Sequence, residues 1–172
     1  MGKRSKRTKE MTSVKILNLS RNENPQYQTP GAAGFDLALS EDVLVLPGMC
    51  LLAPTGLRMI IPEGFEGQIR LRSSMYKRGI VMPNAPGTID SDYRGEIFIP
   101  IRNVQQWKEV TFKKLDQVTF KKGERIAQML IKEVPKIELE YLTHEEFDAY
   151  ESTSRNEGGF GSTGSHSDGL SL

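Results

Sequence analysis

The residues best suited to chemistry gather in Asn84-Ala-Pro-Gly-Thr-Ile-Asp-Ser-Asp-Tyr-Arg-Gly-Glu-Ile97. Two carboxylates, Asp90 and Asp92, precede an aromatic ring, Tyr93, a cation, Arg94, and a backbone-permissive glycine, Gly95. A carboxylate ionised at neutral pH can orient and deprotonate a water. An aromatic three residues away can lie against a second flat ring. Pro86-Gly87 is a turn signal, and the apolar runs Ile80-Val-Met82 and Ile97-Phe-Ile-Pro-Ile101 flank it, so a hairpin is expected. The same residues also suit a plain polar turn with Tyr93 covering a sheet face. Chemistry alone leaves both readings open.

Three further groups carry polar side chains in demanding places. Asp36 lies inside the apolar run Gly31-Ala-Ala-Gly-Phe-Asp-Leu-Ala-Leu39, and an acid there must find partners or water. In Arg72-Ser-Ser-Met-Tyr-Lys-Arg-Gly79, Ser73 or Ser74 is placed to cap one or two helical turns closed by Gly79. A guanidinium, hydroxyls and free N–H groups at a helix start also make a phosphate site. Gln128 sits among apolar residues in Gly123-Glu-Arg-Ile-Ala-Gln128, where its amide needs a partner. Each has a bland alternative: a loop contact for Asp36 and Gln128, a capped surface turn for Arg72.

The elements that must position these residues read as short strands. Val14–Leu19, Val43–Leu46, Cys50–Ala53 and Leu57–Ile61 are apolar, with Pro- and Gly-containing turns between most of them. Turn signals at such spacing indicate an all-β sandwich or barrel. Gln68-Ile-Arg-Leu-Arg72 alternates, so one face is buried and one wet. Pro100 lacks an N–H and favours an edge or bulge. Ile137–Leu142 reads as a further strand, and Thr143-His-Glu-Glu146 has the capping-box form, predicting a short helix to about Tyr150. Val110-Thr-Phe-Lys-Lys114 recurs as Val118-Thr-Phe-Lys-Lys122, and residues 105–117 read as an inserted hairpin carrying Trp107.

The chain has 172 residues, 37% hydrophobic and 26% charged, with net charge +1. One domain with its own core is expected, over residues 13–150. Residues 1–12 form a basic arm, 151–164 a Gly-rich mobile lid and 165–172 a tail too poor in apolar residues to order. The apolar runs are too short to cross a bilayer, and no apolar segment follows the basic start, so no signal peptide is expected. Cys50 is alone, which excludes an intrachain disulfide and a thiolate metal cage and fits an intracellular compartment. The small net charge argues against nucleic acid or membrane as a partner; the basic arm offers the one weak route to nucleic acid.

Five segments, in order, resemble the motifs of the trimeric dUTP pyrophosphatases (dUTPases): Ala33-Gly-Phe-Asp-Leu37, Arg72-Ser-Ser74, Gly87-Thr-Ile-Asp-Ser-Asp-Tyr-Arg-Gly95, Gly123–Gln128 and Arg155-Asn-Glu-Gly-Gly-Phe-Gly-Ser-Thr-Gly164. The resemblance implies a β jelly roll with little helix, a homotrimer with shared active sites, and hydrolysis of dUTP to dUMP and pyrophosphate with Mg²⁺ on the triphosphate. That reaction limits uracil in DNA and supplies dUMP. It implies that Asp90 activates the attacking water, and that Arg72, Ser73, Gln128, Arg155, Ser162 and Thr163 hold the phosphates. Ser74 and Gly161 complete the substrate contacts. Asp36 holds a water on the metal. Asn84 and the backbone of Gly87, Thr88 and Ile89 read uracil; Tyr93 lies against the sugar and excludes a 2′-hydroxyl; Phe160 stacks over the base. One departure is Met75-Tyr76, where the family usually has Leu-Ala.

Rival readings have sequence tests. The His-x-Glu and Cys-x-x-Cys pattern of zinc nucleobase deaminases is absent. A dCTP deaminase of the same fold has a different hairpin, whereas Thr88–Tyr93 matches the hydrolase. A non-enzymatic trimer that binds a protein through the basic arm or Trp107 would need no intact motifs.

Overall fold

The structure is a computed structural model that describes residues 12–105, 117–150, 152–154 and 156. The basic arm, the body of the 105–117 insertion with Trp107, and most of the lid and tail lie outside the described residues. The chain divides into two units, one ending at Lys136 and one beginning at Ile137.

The described residues of the first unit form eleven strands: β1 (Lys15–Asn18), β2 (Phe35–Ala38), β3 (Val43–Val45), β4 (Cys50–Pro54), β5 (Leu57–Ile60), β6 (Phe65–Leu71), β7 (Ile80–Val81), β8 (Gly87–Ile89), β9 (Phe98–Asn103), β10 (Val118–Phe120) and β11 (Arg125–Glu133). All strand pairings among the described residues are antiparallel. The sheets run β2-β11-β6-β8 and β4-β9-β7, with two-stranded ladders β1-β5 and β10-β3. With one 3₁₀ turn (Ser73–Arg78) as the helical element of this unit, the jelly-roll-like all-β expectation holds.

The alternation of the strands explains the layout. On β6 and β11, Ile69 and Met129 are buried while Gln68, Arg70 and Gln128 face the other way. Leu37, Leu39, Ile99, Ile101, Phe120, Ile126 and Met129 sit in one core cluster, burying apolar area at roughly 25 cal/mol per Å². Gly34 permits the close approach of β2 to β11: a Cβ there would meet the Met129 carbonyl oxygen at 2.5 Å. One irregularity matters for function. Between Arg125 and Ala127 the register with β2 shifts, a β-bulge at Ile126. Ile126 and Ala127 are both buried, so the bulge turns Arg125 and Gln128 onto the same face.

Several local expectations are corrected. The arms of the central hairpin do pair, Ile80 with Asn103 and Val81 with Arg102. The segment between them does not close on itself; Gly87–Ile89 leaves as β8 and pairs with β6 in the other sheet. Gly87 is therefore a strand residue rather than a turn glycine. Ser73 and Ser74 do not cap the 3₁₀ turn. Arg72 occupies the cap position with no side-chain hydrogen bond, while Gly79 closes the turn in the left-handed region at φ 66°, as expected. Pro100 lies on β9, the middle strand of its sheet; β7 is so short that it reaches only Arg102 and Asn103, so the missing N–H disrupts no ladder on that side.

In the second unit, Ile137–Leu142 joins no sheet. Its alternating Ile137, Leu139 and Tyr141 are exposed, because an isolated strand has no partner for its backbone groups. The last strand of the first unit, β11, ends at Glu133. The helix α1 (His144–Asp148) forms with the expected capping box: Thr143 accepts from the Glu146 N–H and Glu146 accepts from the Thr143 N–H.

Candidate active site

The four-stranded sheet sets Asp36, Gln128 and Arg70 directly opposite one another on β2, β11 and β6. Asp36 is flanked by two guanidinium groups: Arg72 Nε lies 3.6 Å from Oδ1 and Arg125 Nη1 lies 3.3 Å from Oδ2. Only 12% of the Asp36 side chain is exposed, against 38% and 45% for the arginines. Its Oδ2 is buried and accepts no hydrogen bond among the described residues. Asp36 therefore does not follow the bland alternative of a loop contact; it is charge-paired yet keeps an acceptor oxygen.

Arg72 is placed by the bulge. Its backbone N–H donates to the Ile126 carbonyl at 2.9 Å, and its Nη1 donates to the Arg125 carbonyl at 3.3 Å. The 3₁₀ turn that follows exposes Ser73 and Ser74 and buries Met75. Met75 fills the core behind the turn while Tyr76 is exposed, which accounts for this departure in sequence. The half-buried Gln128 makes no side-chain hydrogen bond among the described residues. The structure thus brings Asp36, Arg72 and Gln128 together, with Ser73 and Ser74 following in the adjoining turn.

The second group forms around β8. Asn84, Thr88 and Asp90 are exposed, and Ile89 is half-buried. Among the described residues β8 pairs with β6 alone, so its other edge makes no ladder with them. The Tyr93 N–H closes a turn on the Asp90 carbonyl at 3.2 Å, and Arg94 Nη1 donates to the Ser91 and Tyr93 carbonyls at 2.7 and 2.8 Å. Tyr93 Oη donates to the Glu96 carbonyl at 2.8 Å, and the Glu96 carboxylate accepts from the Gly56 N–H at 2.8 Å. Gly95 is not used for its backbone freedom, since its φ is not in the left-handed range; a Cβ there would meet Tyr93 Oη at 2.3 Å.

Within one chain, members of these two groups line different cavities. Asp36 and Arg125, with Ser20, Asn22, Thr55 and Gly123, line one of about 440 Å³. Asp90, Ser91, Asp92 and Arg94, with Glu63 and Lys136, line another of about 760 Å³. The Glu63–Lys136 hydrogen bond lowers the carboxyl pKa and raises that of the ammonium. Among the described residues no group of three or more His, Cys, Asp or Glu could hold a metal. The donor set here suits only a cation carried mainly by substrate oxygens and water. Arg155, Phe160, Gly161, Ser162 and Thr163 lie outside the described residues.

Sequence reasoning missed Arg125, Arg70 and the bracing role of Glu96. The adjacent apolar pair Ile126-Ala127, which breaks strict alternation, is the signal that marks the bulge.

Comparison with known proteins places the chain in a family. The dUTPase family model matches residues 20–164. A deoxyuridine 5'-triphosphate nucleotidohydrolase of Anaeromyxobacter sp. is 47% identical over 143 residues, covering 83% of this chain and 88% of its own. A mutant dUTPase of Staphylococcus bacteriophage 80alpha, solved with dUpNHpp, superposes with a TM-score of 0.78 at 28% identity, covering 90% of this chain and 99% of its own. A mutant dUTPase of S. aureus phage phi11, whose structure concerns coordination of a structural Mg(II) ion, superposes with a TM-score of 0.69 at 22% identity, covering 79% and 100%. The chain belongs to the dUTPase family, the hydrolases that convert dUTP to dUMP and pyrophosphate.

Proposed function

We propose that this chain hydrolyses dUTP by in-line attack of an Asp90-activated water on the α-phosphorus, in a site shared among three copies. The observation that carries the reading is that Asp36 and Arg125, the former also paired with Arg72, line one cavity of the chain while Asp90 lines another. Each group holds half of what phosphoanhydride hydrolysis needs. A neighbouring copy in a homotrimer supplies the other half.

On the cationic side, Arg72 binds phosphate oxygens through charge-assisted bonds, joined by Ser73, Ser74 and the free amide of Gln128. On the other side, the exposed Asp90 carboxylate accepts the proton of the attacking water. The open edge of β8, from Gly87 through Thr88 to Ile89, and the exposed Asn84 read the polar edge of uracil, as backbone edges read peptides. The Tyr93 ring, held by Glu96, walls off a 2′-hydroxyl. Arg155, Phe160, Gly161, Ser162 and Thr163 close as a lid over base and phosphates. Mg²⁺ on the triphosphate supplies charge neutralisation. Asp36 fits such an ion through water, because its buried Oδ2 still accepts. Among the described residues no helix is long and apolar enough to cross a membrane.

The test is to incubate the purified chain with dUTP, dCTP or dTTP plus Mg²⁺ and assay pyrophosphate and ammonia. Pyrophosphate from dUTP alone is expected. Ammonia from dCTP would replace the reading with deamination.

A further inference from the structure

We propose that Arg78 is a positioning residue that sets the phosphate-binding turn Ser73–Arg78 against β11. The proposal rests on the reading that Arg72, Ser73 and Ser74 hold phosphate, and it concerns how they are aimed.

Among the described residues, every side-chain anchor of Arg78 comes from the segment that leads into β11. Nη1 donates to Glu124 Oε1 at 2.5 Å and Nη2 to the Thr119 carbonyl at 2.8 Å. The guanidinium carbon lies 4.0 Å from the centroid of the Phe120 ring, which is fully buried. The fork is thus satisfied in its plane and stacked on its face, an arrangement specific to arginine. Glu124 is itself fixed, because its Oε2 accepts from the Lys121 N–H at 3.1 Å and its own backbone bonds Leu39.

The opposite end of the same turn is fastened to the same segment. Arg72 donates from its backbone to Ile126 and from its side chain to Arg125. The turn is therefore held at both ends by residues 119–126, which run directly into Gln128. Six residues of 3₁₀ turn have little stability of their own. Met75 anchors the middle by its depth in the core, but one flexible side chain does not fix rotation of the turn. With Arg78 fastened, Ser73 and Ser74 keep a set spacing from Gln128, and small misplacements of such groups are costly.

The experiment measures, on the full chain, binding of dUpNHpp and of deoxyuridine, which has no phosphate. Arg78→Ala is expected to weaken dUpNHpp by about tenfold, the scale of one charge-assisted bond, and to leave deoxyuridine unchanged. Arg78→Lys should recover part of the loss, since an ammonium pairs with Glu124 but cannot also stack flat on Phe120. Glu124→Gln combined with Arg78→Ala should lose no more than Arg78→Ala alone. Equal losses for both ligands, a lower Tm with an unchanged ratio, or additive effects would overturn the proposal. Should Arg78→Ala not fold, Arg78→Lys and Glu124→Gln carry the same comparison. A wild-type chain inert toward dUTP would instead overturn the functional reading.

Discussion

The ring of Tyr93 occupies the space that a side chain at residue 95 would take: a Cβ on Gly95 would lie 2.3 Å from Tyr93 Oη and 2.6 Å from Cζ. Tyr93 is held there by its hydrogen bond to the Glu96 carbonyl, and Glu96 by the Gly56 N–H. The ring is thus fixed by two successive hydrogen bonds and by its packing over Gly95.

Gly95→Ala should therefore act on Tyr93 rather than on the backbone. The ratio of kcat/KM for dUTP over UTP should fall by about tenfold, the cost of a modest misplacement. Tyr93→Ala should lower it at least as far. Steady-state kinetics on both nucleotides decide it, and an unchanged ratio in Tyr93→Ala would mean that this ring is not the gate.

Asp90→Asn keeps the shape of the turn, which uses the Asp90 backbone carbonyl, but an amide cannot accept the water's proton. Turnover should drop by about 10²–10⁴-fold while dUpNHpp still binds. A variant within a few-fold of wild type would remove Asp90 from its role.

Asp36, the ion-pair partner of Arg72, lines a different cavity from Asp90, which predicts complementation between copies. Asp90→Asn and Arg72→Ala chains, each nearly inactive, should regain part of the activity when unfolded together and refolded as mixed trimers. Activity that stays at the level of the separate variants would place both residues in one chain's site. Light scattering should report a homotrimer with or without ligand.

Asp36→Asn removes the negative charge between Arg72 and Arg125. If Asp36 steadies a metal-bound water, the Mg²⁺ concentration at half-maximal activity should rise by about 10–100-fold. A Mg²⁺ titration identical to wild type would contradict that role.

The turn that enters β11 has a pH-dependent fastening. Asp42 accepts from Lys121 Nζ at 2.7 Å and from the Lys122 N–H at 2.8 Å. Those bonds, the Lys121 side chain first, lower its pKa from 3.8. A lowered carboxyl pKa contributes stability that is present above 3.8 and is lost as pH falls through the folded value. Wild type should thus lose more stability than Asp42→Asn on acidification from pH 5 to about pH 3. The group is exposed, so the difference should be small, and parallel Tm curves would show that the pair contributes nothing.

The strand pattern, the five motifs and hence the family were legible in the chain, because apolar alternation and runs of chemistry-bearing residues are local properties. Asp36, Arg72, Gln128, Asp90 and Tyr93 stood out one by one. Their grouping depends on pairing between strands far apart in sequence. The bulge at Ile126 brings Arg125 and Gln128 onto one face, and a register shift depends on β2 pairing rather than on β11 alone. Gly87–Ile89 left its hairpin for β6 because the sheet offered a ladder there. Gly95 is small for Tyr93, a steric demand that composition cannot express. Ile137–Leu142 shows the reverse case: its alternation is strand-like, yet backbone donors and acceptors form a strand only against a neighbour, and here it joins no sheet.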